Sequence, residues 1–287
     1  MQPVIRGTEF RLAEVDLHSL TEPQSKGLKM TPQEAVLSAV TALFTKFDPA
    51  AASPLLKEDY IQHNPGVPTG AAPILGFLPV LKDHGLTVAN HRVLSQGDLV
   101  VLHSTYDNAQ AFGGQTMVAF DVFRVQDGKV AEHWDNLQAA VPASETASGN
   151  SMTDGPTEIR DLDKTEENQA LVEAFVNDVL LGAAPQNITD YVSTKIYTQH
   201  NPMVGNGLDG LGAALKAMAE AGQALAYTKR HLIVAEGNFV FTASEGKLGD
   251  TPTAFFDLFR VEDGKIVEHW DTISVIPTEM AHANGKF

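Results

Sequence analysis

Two short blocks, Tyr60-Ile61-Gln62-His63-Asn64-Pro65 and Tyr197-Thr198-Gln199-His200-Asn201-Pro202, each gather a phenol, an amide pair and an imidazole within six residues. Such groups supply donors, acceptors and a proton carrier that titrates near neutrality. A second chemical signal is a carboxylate in apolar surroundings: Asp121 lies between Phe120 and Val122-Phe123, and Asp257 between Phe256 and Leu258-Phe259. Strand alternation puts Ala119, Asp121 and Phe123 on one face and Phe120, Val122 and Arg124 on the other. Both faces are then largely apolar, as in a strand covered by helices on one side and by another sheet, such as the sister repeat, on the other. An aspartate there is costly to bury unless it is paired or neutral. Perturbed carboxyl groups of this kind suit acid–base chemistry, and the alternative is a buried Asp satisfied by a Tyr, His or Trp donor. His63 and His200 read either as bases or orienting donors, or as histidines that fasten a loop to backbone.

The elements that must hold these groups also occur twice. Phe120–Asp135, FDVFRVQDGKVAEHWD, returns as FDLFRVEDGKIVEHWD at Phe256–Asp271. The stretch from His91, HRVLSQGDLVVLHS, is echoed from His231, and Thr8-Glu9-Phe10-Arg11 by Thr157-Glu158-Ile159-Arg160. A Ser/Thr/Gly/Pro-rich stretch joins the copies. The chain therefore divides into an N-terminal extension (1–30), a first domain (31–141), a linker (142–162) and a second domain (163–287).

In each copy the pattern predicts three helices followed by a four-stranded antiparallel sheet, an α+β domain. The capping box Thr31-Pro32-Gln33-Glu34 opens the first helix, and Asp163 with Glu166 is its expected counterpart. Second helices are expected over AASPLLKEDY and APQNITDYVS, and third helices over AAPILGFLPVLKDHG and LDGLGAALKAMAEAG. Turns at Gly97-Asp98 and Asp127-Gly128 mark two hairpins.

Composition narrows the function. A net charge of −16 speaks against nucleic acid, which needs clustered Lys and Arg, and against an anionic membrane surface. The expected setting is the cytoplasm: the first twenty residues have no apolar signal region, no run spans a bilayer, and there are no cysteines. Glycine-rich phosphate loops and a Gly-x-Ser-x-Gly elbow are absent from the sequence. A metal site from His63, His103 and His133 has no supporting local spacing, so no metal and no cofactor are expected.

YIQHNP, FDVFRVQDGKVAEHWD and their second copies resemble the SnoaL-like branch of the NTF2-like superfamily, with polyketide cyclases and relatives of ketosteroid isomerase. The resemblance implies two tandem cones, each of three helices wrapped by a curved antiparallel sheet, paired as an intramolecular pseudo-dimer or through a homodimer. It implies that Asp121 and Asp257 hold the place of the cyclases' acid/base aspartate. Where the isomerase has the Asp-Pro of its catalytic base, this chain has Asn64-Pro65 and Asn201-Pro202, and an amide is no base. His103 matches a pocket histidine of the cyclases, with Ala243 at the second-copy position; the other reading is a surface or sheet-edge histidine. The expectation is an isomerase- or lyase-type enzyme acting on a small apolar, carbonyl-bearing ligand. Its catalytic candidates are Asp121, His63, His103, Asp257 and His200. Its ligand-binding candidates are Tyr60, Gln62, Asn64, Trp134, Tyr197, Gln199, Asn201 and Trp270, although Trp134 and Trp270 also read as core wall inside His-Trp-Asp triplets that end a strand. The rival expectations are a non-catalytic binding module and a duplicated scaffold with one live pocket.

Overall fold

The computed structural model describes residues 30–287; the extension and its lead-in Thr8–Arg11 lie outside them. The first repeat begins with helix α1 (Pro32–Val40), capped as the box requires: Thr31 Oγ1 accepts from Glu34 N, and Glu34 Oε2 accepts from Thr31 N at 2.8 Å. It widens into a looser turn over Thr41–Thr45. A four-residue helix, α2 (Pro49–Ala52), leads into strand β1 (Leu56–Gln62), then α3 (Ala71–Asp83), β2 (Thr87–Gln96), β3 (Leu99–Asp107), β4 (Thr116–Gln126) and β5 (Lys129–Ala139). The second repeat follows the same order: α4 (Thr165–Phe175), α5 (Ile188–Tyr191), β6 (Thr198–Gln199), α6 (Gly207–Glu220), β7 (Leu225–Glu236), β8 (Phe239–Leu248), β9 (Thr251–Glu262) and β10 (Lys265–Val275). These are two tandem α+β cones.

Three local expectations need correction. The second helix of the first repeat stops at Ala52, and Leu56–Gln62 is a strand instead, because it finds ladder partners along β5. Each sheet consequently has five strands, in the orders β1-β5-β4-β3-β2 and β6-β10-β9-β8-β7, with the outermost β1 and β6 parallel to their neighbours. Asp163 is not a cap: it lies in a tight turn (Leu162–Lys164), and α4 starts at Thr165 with no side-chain cap.

The β4–β5 and β9–β10 hairpins turn through Asp127-Gly128 and Asp263-Gly264, all with positive φ, as a two-residue turn matched to strand twist demands. This turn sets Asp121 opposite Asp135 and Asp257 opposite Asp271. Gly237 serves a close approach: a Cβ there would sit 1.9 Å from the Arg160 carbonyl, where the linker crosses the β7–β8 turn.

Each sheet is covered on both faces. Helices pack on one, with Ala119, Phe123, Leu102 and Val100 facing them in the first repeat. The other faces pack against each other through Val101, Phe120, Val122, Phe241, Phe256 and Leu258, among others, all fully buried. Polar groups at this seam pair reciprocally. Asn136 Nδ2 donates to Thr272 O at 2.6 Å while Thr272 Oγ1 donates to Asn136 O at 3.2 Å. At the far end, Gln96 accepts from Ala235 N and Glu236 from Ser95 N.

The segment following each cone straps the other. Asn150 Nδ2 donates to Gln199 O in the second cone, and Asn284 Nδ2 donates to Gln62 O in the first, both at 2.9 Å. Ala147 N and Ala281 N bond Pro202 O and Pro65 O in the same way. Among the described residues no helix is long and apolar enough to cross a membrane.

Phe241→Ala empties the middle of the seam and is expected to cost about 3–5 kcal/mol. Trp134 and Trp270, the two tryptophans of the chain, both lie in that seam. Urea unfolding followed by tryptophan fluorescence should therefore show a lower midpoint; an unchanged midpoint would mean the two sheets contribute stability independently.

Candidate active site

The first cone closes over a polar cluster built on the inward faces of four strands. Asp121 comes from β4, His133 and Asp135 from β5, Tyr106 from β3, and Tyr60 and Gln62 from β1. They line an inner cavity of about 40 Å³, room for a water-sized group. Asn64, Val67, Phe112, Asp135 and Leu137 connect it to an outer chamber of about 310 Å³, walled also by Phe77, Pro277 and Lys286.

Asp121 is 4% exposed. Its Oδ2 accepts from the Tyr106 hydroxyl at 3.0 Å, and its Oδ1 lies 3.1 Å from His133 Nε2. The protons on this chain of contacts can be assigned. Gln62 Oε1 accepts from the backbone N–H groups of His63 and Asn64, which fixes it as the oxygen. The same oxygen lies 2.9 Å from His133 Nδ1, so Nδ1 carries a proton. A further proton must then lie between Nε2 and Asp121, making the two either imidazolium with carboxylate or imidazole with carboxylic acid. Burial pushes the Asp121 carboxyl up, against the lowering effect of the His133 hydrogen bond.

Asp135 faces the same space. Asn64 Nδ2 donates to its Oδ2 at 2.5 Å. Its Oδ1 is buried and has no hydrogen-bond partner among the described residues. Tyr60 OH accepts from Gln62 Nε2 at 3.3 Å, which leaves its own proton without an acceptor among the described residues. Burial, reinforced by the charges of Asp135 and Asp121, holds that phenol protonated well above its ordinary range. The cluster thus combines a carboxylate oxygen with a spare lone pair, a hydroxyl with a spare proton, and a pair that keeps one proton.

The second cone repeats the arrangement. Tyr227 OH donates to Asp257 at 3.1 Å, His269 Nε2 lies 3.0 Å from Asp257 Oδ1, and His269 Nδ1 lies 3.1 Å from Gln199 Oε1. Gln199 donates to Tyr197 OH at 3.0 Å, and Asn201 donates to Asp271 Oδ2 at 2.7 Å. Asp271 Oδ1 is likewise buried and unpartnered among the described residues. Burial first, then the nearby Asp257 charge, raise Asp271 to about 6 against the lowering pull of His269.

Of the sequence candidates, Asp121, Tyr60, Gln62 and Asn64 come together in the first cone, and Asp257, Tyr197, Gln199 and Asn201 in the second. The others face away. His63 stacks on Trp134 with centroids 4.9 Å apart, its ring held between Glu132 Oε1 and Gly285 O, each at 2.9 Å. His200 stacks on Trp270 in the same manner, between Glu268 and Ser151 O. Both histidines fasten strap to sheet. Trp134 and Trp270 belong to the seam and not to a pocket wall, since alternation turns them opposite to His133 and His269. His103 stacks on Phe120 and bonds Arg92 on the seam face, so it does not reach the cavity; burial, then the Arg92 charge, hold it neutral.

Tyr106 and Tyr227 are not among the sequence candidates, and by sequence the polar pairs His133 with Asp135 and His269 with Asp271 read as ties at the sheet end. Alternation carried one strand further would have found His133, Asp135, His269 and Asp271, because in His-Trp-Asp the outer two residues share the face of Asp121 or Asp257. The triplets also lie inside β5 and β10 rather than at their ends. Asp121, His133 and Asp135 offer ligand atoms within 4.8 Å of one another, as do Asp257, His269 and Asp271. Each trio has the donor set for a divalent ion once the shared proton is gone, whereas His63 and His103 lie on the face opposite His133 and form no set with it.

The SnoaL-like domain family matches residues 37–133 and again 172–269. Solved structures similar to the chain include TsrD from Streptomyces laurentii, 20% identical over 39% of this chain and 92% of that one, with a TM-score of 0.33. An NTF2-like protein from Cytophaga hutchinsonii is 17% identical over 39% and 93%, TM-score 0.33. An LEH-like epoxide hydrolase from M. tuberculosis is 20% identical over 37% and 82%, TM-score 0.31. No curated protein matches the chain.

The raised Asp271 carboxyl gives a pH signature. A group whose folded-state pKa lies above its unfolded value of 3.8 stabilises the fold below that value and loses this contribution as pH rises through about 6. The loss amounts to about 3 kcal/mol. Asp271→Asn removes the titration, so its urea stability relative to wild type should climb by up to that amount between pH 4 and pH 8. A difference that is flat across that window would show that Asp271 ionises normally.

Proposed function

We propose that this chain, which belongs to the SnoaL-like domain family, is an enzyme that moves a proton alpha to a carbonyl of a small apolar substrate without a cofactor. One observation carries this reading: a buried carboxylate oxygen without a hydrogen-bond partner among the described residues, Asp135 Oδ1, lies beside an Asp121–His133 pair that keeps a single proton. Neighbouring groups with opposed proton demands divide naturally into base and acid.

In this scheme the substrate's apolar body occupies the outer chamber and its carbonyl enters the inner cavity. Asp135 takes the alpha proton, and the C–H electron pair moves into the carbonyl to give an enolate. Tyr60 O–H donates a hydrogen bond to the enolate oxygen, Asn64 helps orient the carbonyl, and Asp121 with His133 supplies the acid. For isomerisation of a β,γ-unsaturated carbonyl, Asp135 returns its proton to the γ-carbon of the dienolate, and the double bond moves into conjugation. For an aldol-type cyclisation, the enolate carbon attacks a second carbonyl and the new alkoxide takes the proton held between Asp121 and His133. In dehydration the vacated Asp121–His133 pair takes a second alpha proton, its electron pair forms the C=C bond, and the hydroxyl leaves as water with the proton that Asp135 holds. The closed cone excludes water, which strengthens each of these contacts. Asp257, Asp271, Tyr197 and Asn201 hold the corresponding places in the second cone.

The test is hydrogen–deuterium exchange alpha to the carbonyl of β-tetralone in deuterium oxide, followed by mass spectrometry. Wild type should accelerate exchange, and Asp121→Asn and Asp135→Asn should each lose about 10²- to 10⁴-fold of that acceleration while remaining folded. Tyr60→Phe should lose on the order of 100-fold. A wild type that binds β-tetralone without speeding exchange would favour a non-catalytic ligand-binding protein.

A further inference from the structure

The two sites carry the same polar side chains except where the straps reach them, although the tyrosine on the central aspartate comes from different strands. It is Tyr106 of β3 in the first cone and Tyr227 of β7, the counterpart of β2, in the second, where Gly246 holds the place of Tyr106. The strap on the second cone runs Asn150-Ser151-Met152 and the strap on the first runs Asn284-Gly285-Lys286. Their hydrogen bonds set the alignment. Asn150 and Asn284 donate to the carbonyls of Gln199 and Gln62, and the next carbonyls, of Ser151 and Gly285, meet the rings of His200 and His63. The residue after that is Met152 in one strap and Lys286 in the other. Both are buried, at 3% and 6% exposure.

Lys286 lines the outer chamber of the first cone together with Asp135 and Asn64. Its Nζ donates to Asp135 O at 2.6 Å and lies 3.6 Å from Asp135 Oδ1, the unpartnered oxygen. An ammonium group has three protons, and only one is used in a hydrogen bond among the described residues. Burial pulls the lysine pKa down, while Asp135 pulls it back up.

The charges differ accordingly. In the first cone the Asp121–His133 pair is neutral as a unit, and Asp135 is balanced by Lys286. In the second, the Asp257–His269 pair is likewise neutral as a unit, but Asp271 faces no lysine among the described residues and the strap contributes a thioether. When a carboxylate takes a proton from carbon, the negative charge moves to the enolate oxygen. In the first cone that enolate still has Lys286 as counter-cation, and in the second it has none.

We propose that Lys286, delivered to the first cone by the strap that follows the second, is the counter-cation for an enolate or other oxyanion, and makes the first cone the reactive one. This rests on the proton-transfer reading of the site. It narrows the substrate class to carbonyl compounds whose enolate oxygen can reach the chamber side of Asp135.

The test uses 2-naphthol, whose naphtholate has the shape of the β-tetralone enolate and absorbs differently from the neutral phenol. Wild type should bind one equivalent per chain as the anion. Lys286→Met, which copies the other strap, should lose on the order of 100-fold in naphtholate affinity and in tetralone exchange. Met152→Lys should create a second naphtholate site, an outcome that does not depend on the first variant folding well. Wild type that binds no naphtholate, or a Lys286→Met protein that binds it equally well, overturns the inference. Unchanged tetralone exchange in Lys286→Met overturns it too, and leaves the proton-transfer reading standing. Lysine-dependent naphtholate binding without any tetralone exchange supports the counter-cation and removes that reading instead.

Discussion

Burial of each sheet on both faces is the constraint on which the site depends. The seam of Phe120, Val122, Phe241, Phe256 and Leu258 removes the outer face of each sheet from water, as the helices remove the inner one. A carboxylate on a central strand then has no access to bulk solvent and must find its partners inside the cone. Asp121 finds Tyr106 and His133. The same confinement holds a proton between Asp121 and His133 and raises Asp271 to about 6. In an open antiparallel sheet with one wet face, Asp121 and Asp271 would lose the burial that raises them.

The straps depend on the seam as well. Only when the sheets lie face to face does the segment leaving β5 reach the rim of the second cone, and the segment leaving β10 the rim of the first. His63 and His200 are consequently joints. Each lies flat on a seam tryptophan and ties a strap carbonyl to a glutamate on the outer face of its own sheet. The Tyr-x-Gln-His-Asn-Pro block therefore divides its labour by strand parity. Tyr60 and Gln62 turn inward to the cavity, and His63 turns outward to the strap.

Much of the fold was legible because duplication repeats most of its signals. The Asp-Gly turns, the capping box and the alternation around Asp121 each reflect a local rule, and local rules survive folding. The edge strand β1 was not legible: Leu56–Gln62 has mixed polarity and takes its strand form from a parallel ladder to β5, a partner some seventy residues away in sequence. The site was legible where alternation was applied and misjudged where it was not. Trp134 looks like a ligand wall by residue type, yet parity sends it to the seam and brings forward Asp135, which type alone marks as a sheet-end tether. Lys286 carried no local signal, since its role depends on which cone the strap crosses to.

That crossing explains what a fused pair permits and a symmetric dimer forbids. In a homodimer of one repeat, the two-fold axis would put the same strap residue at both sites, so any lysine would appear twice. Fusion removes that requirement, because the two straps are separate stretches of one chain. Met152 and Lys286 hold equivalent, buried positions with different chemistry, while the reciprocal Asn136–Thr272 contacts keep the seam close to symmetric. The scaffold stays paired while the electrostatics of its two polar clusters separate, and the charge difference between Lys286 and Met152 comes from the segments that reach each cluster from outside.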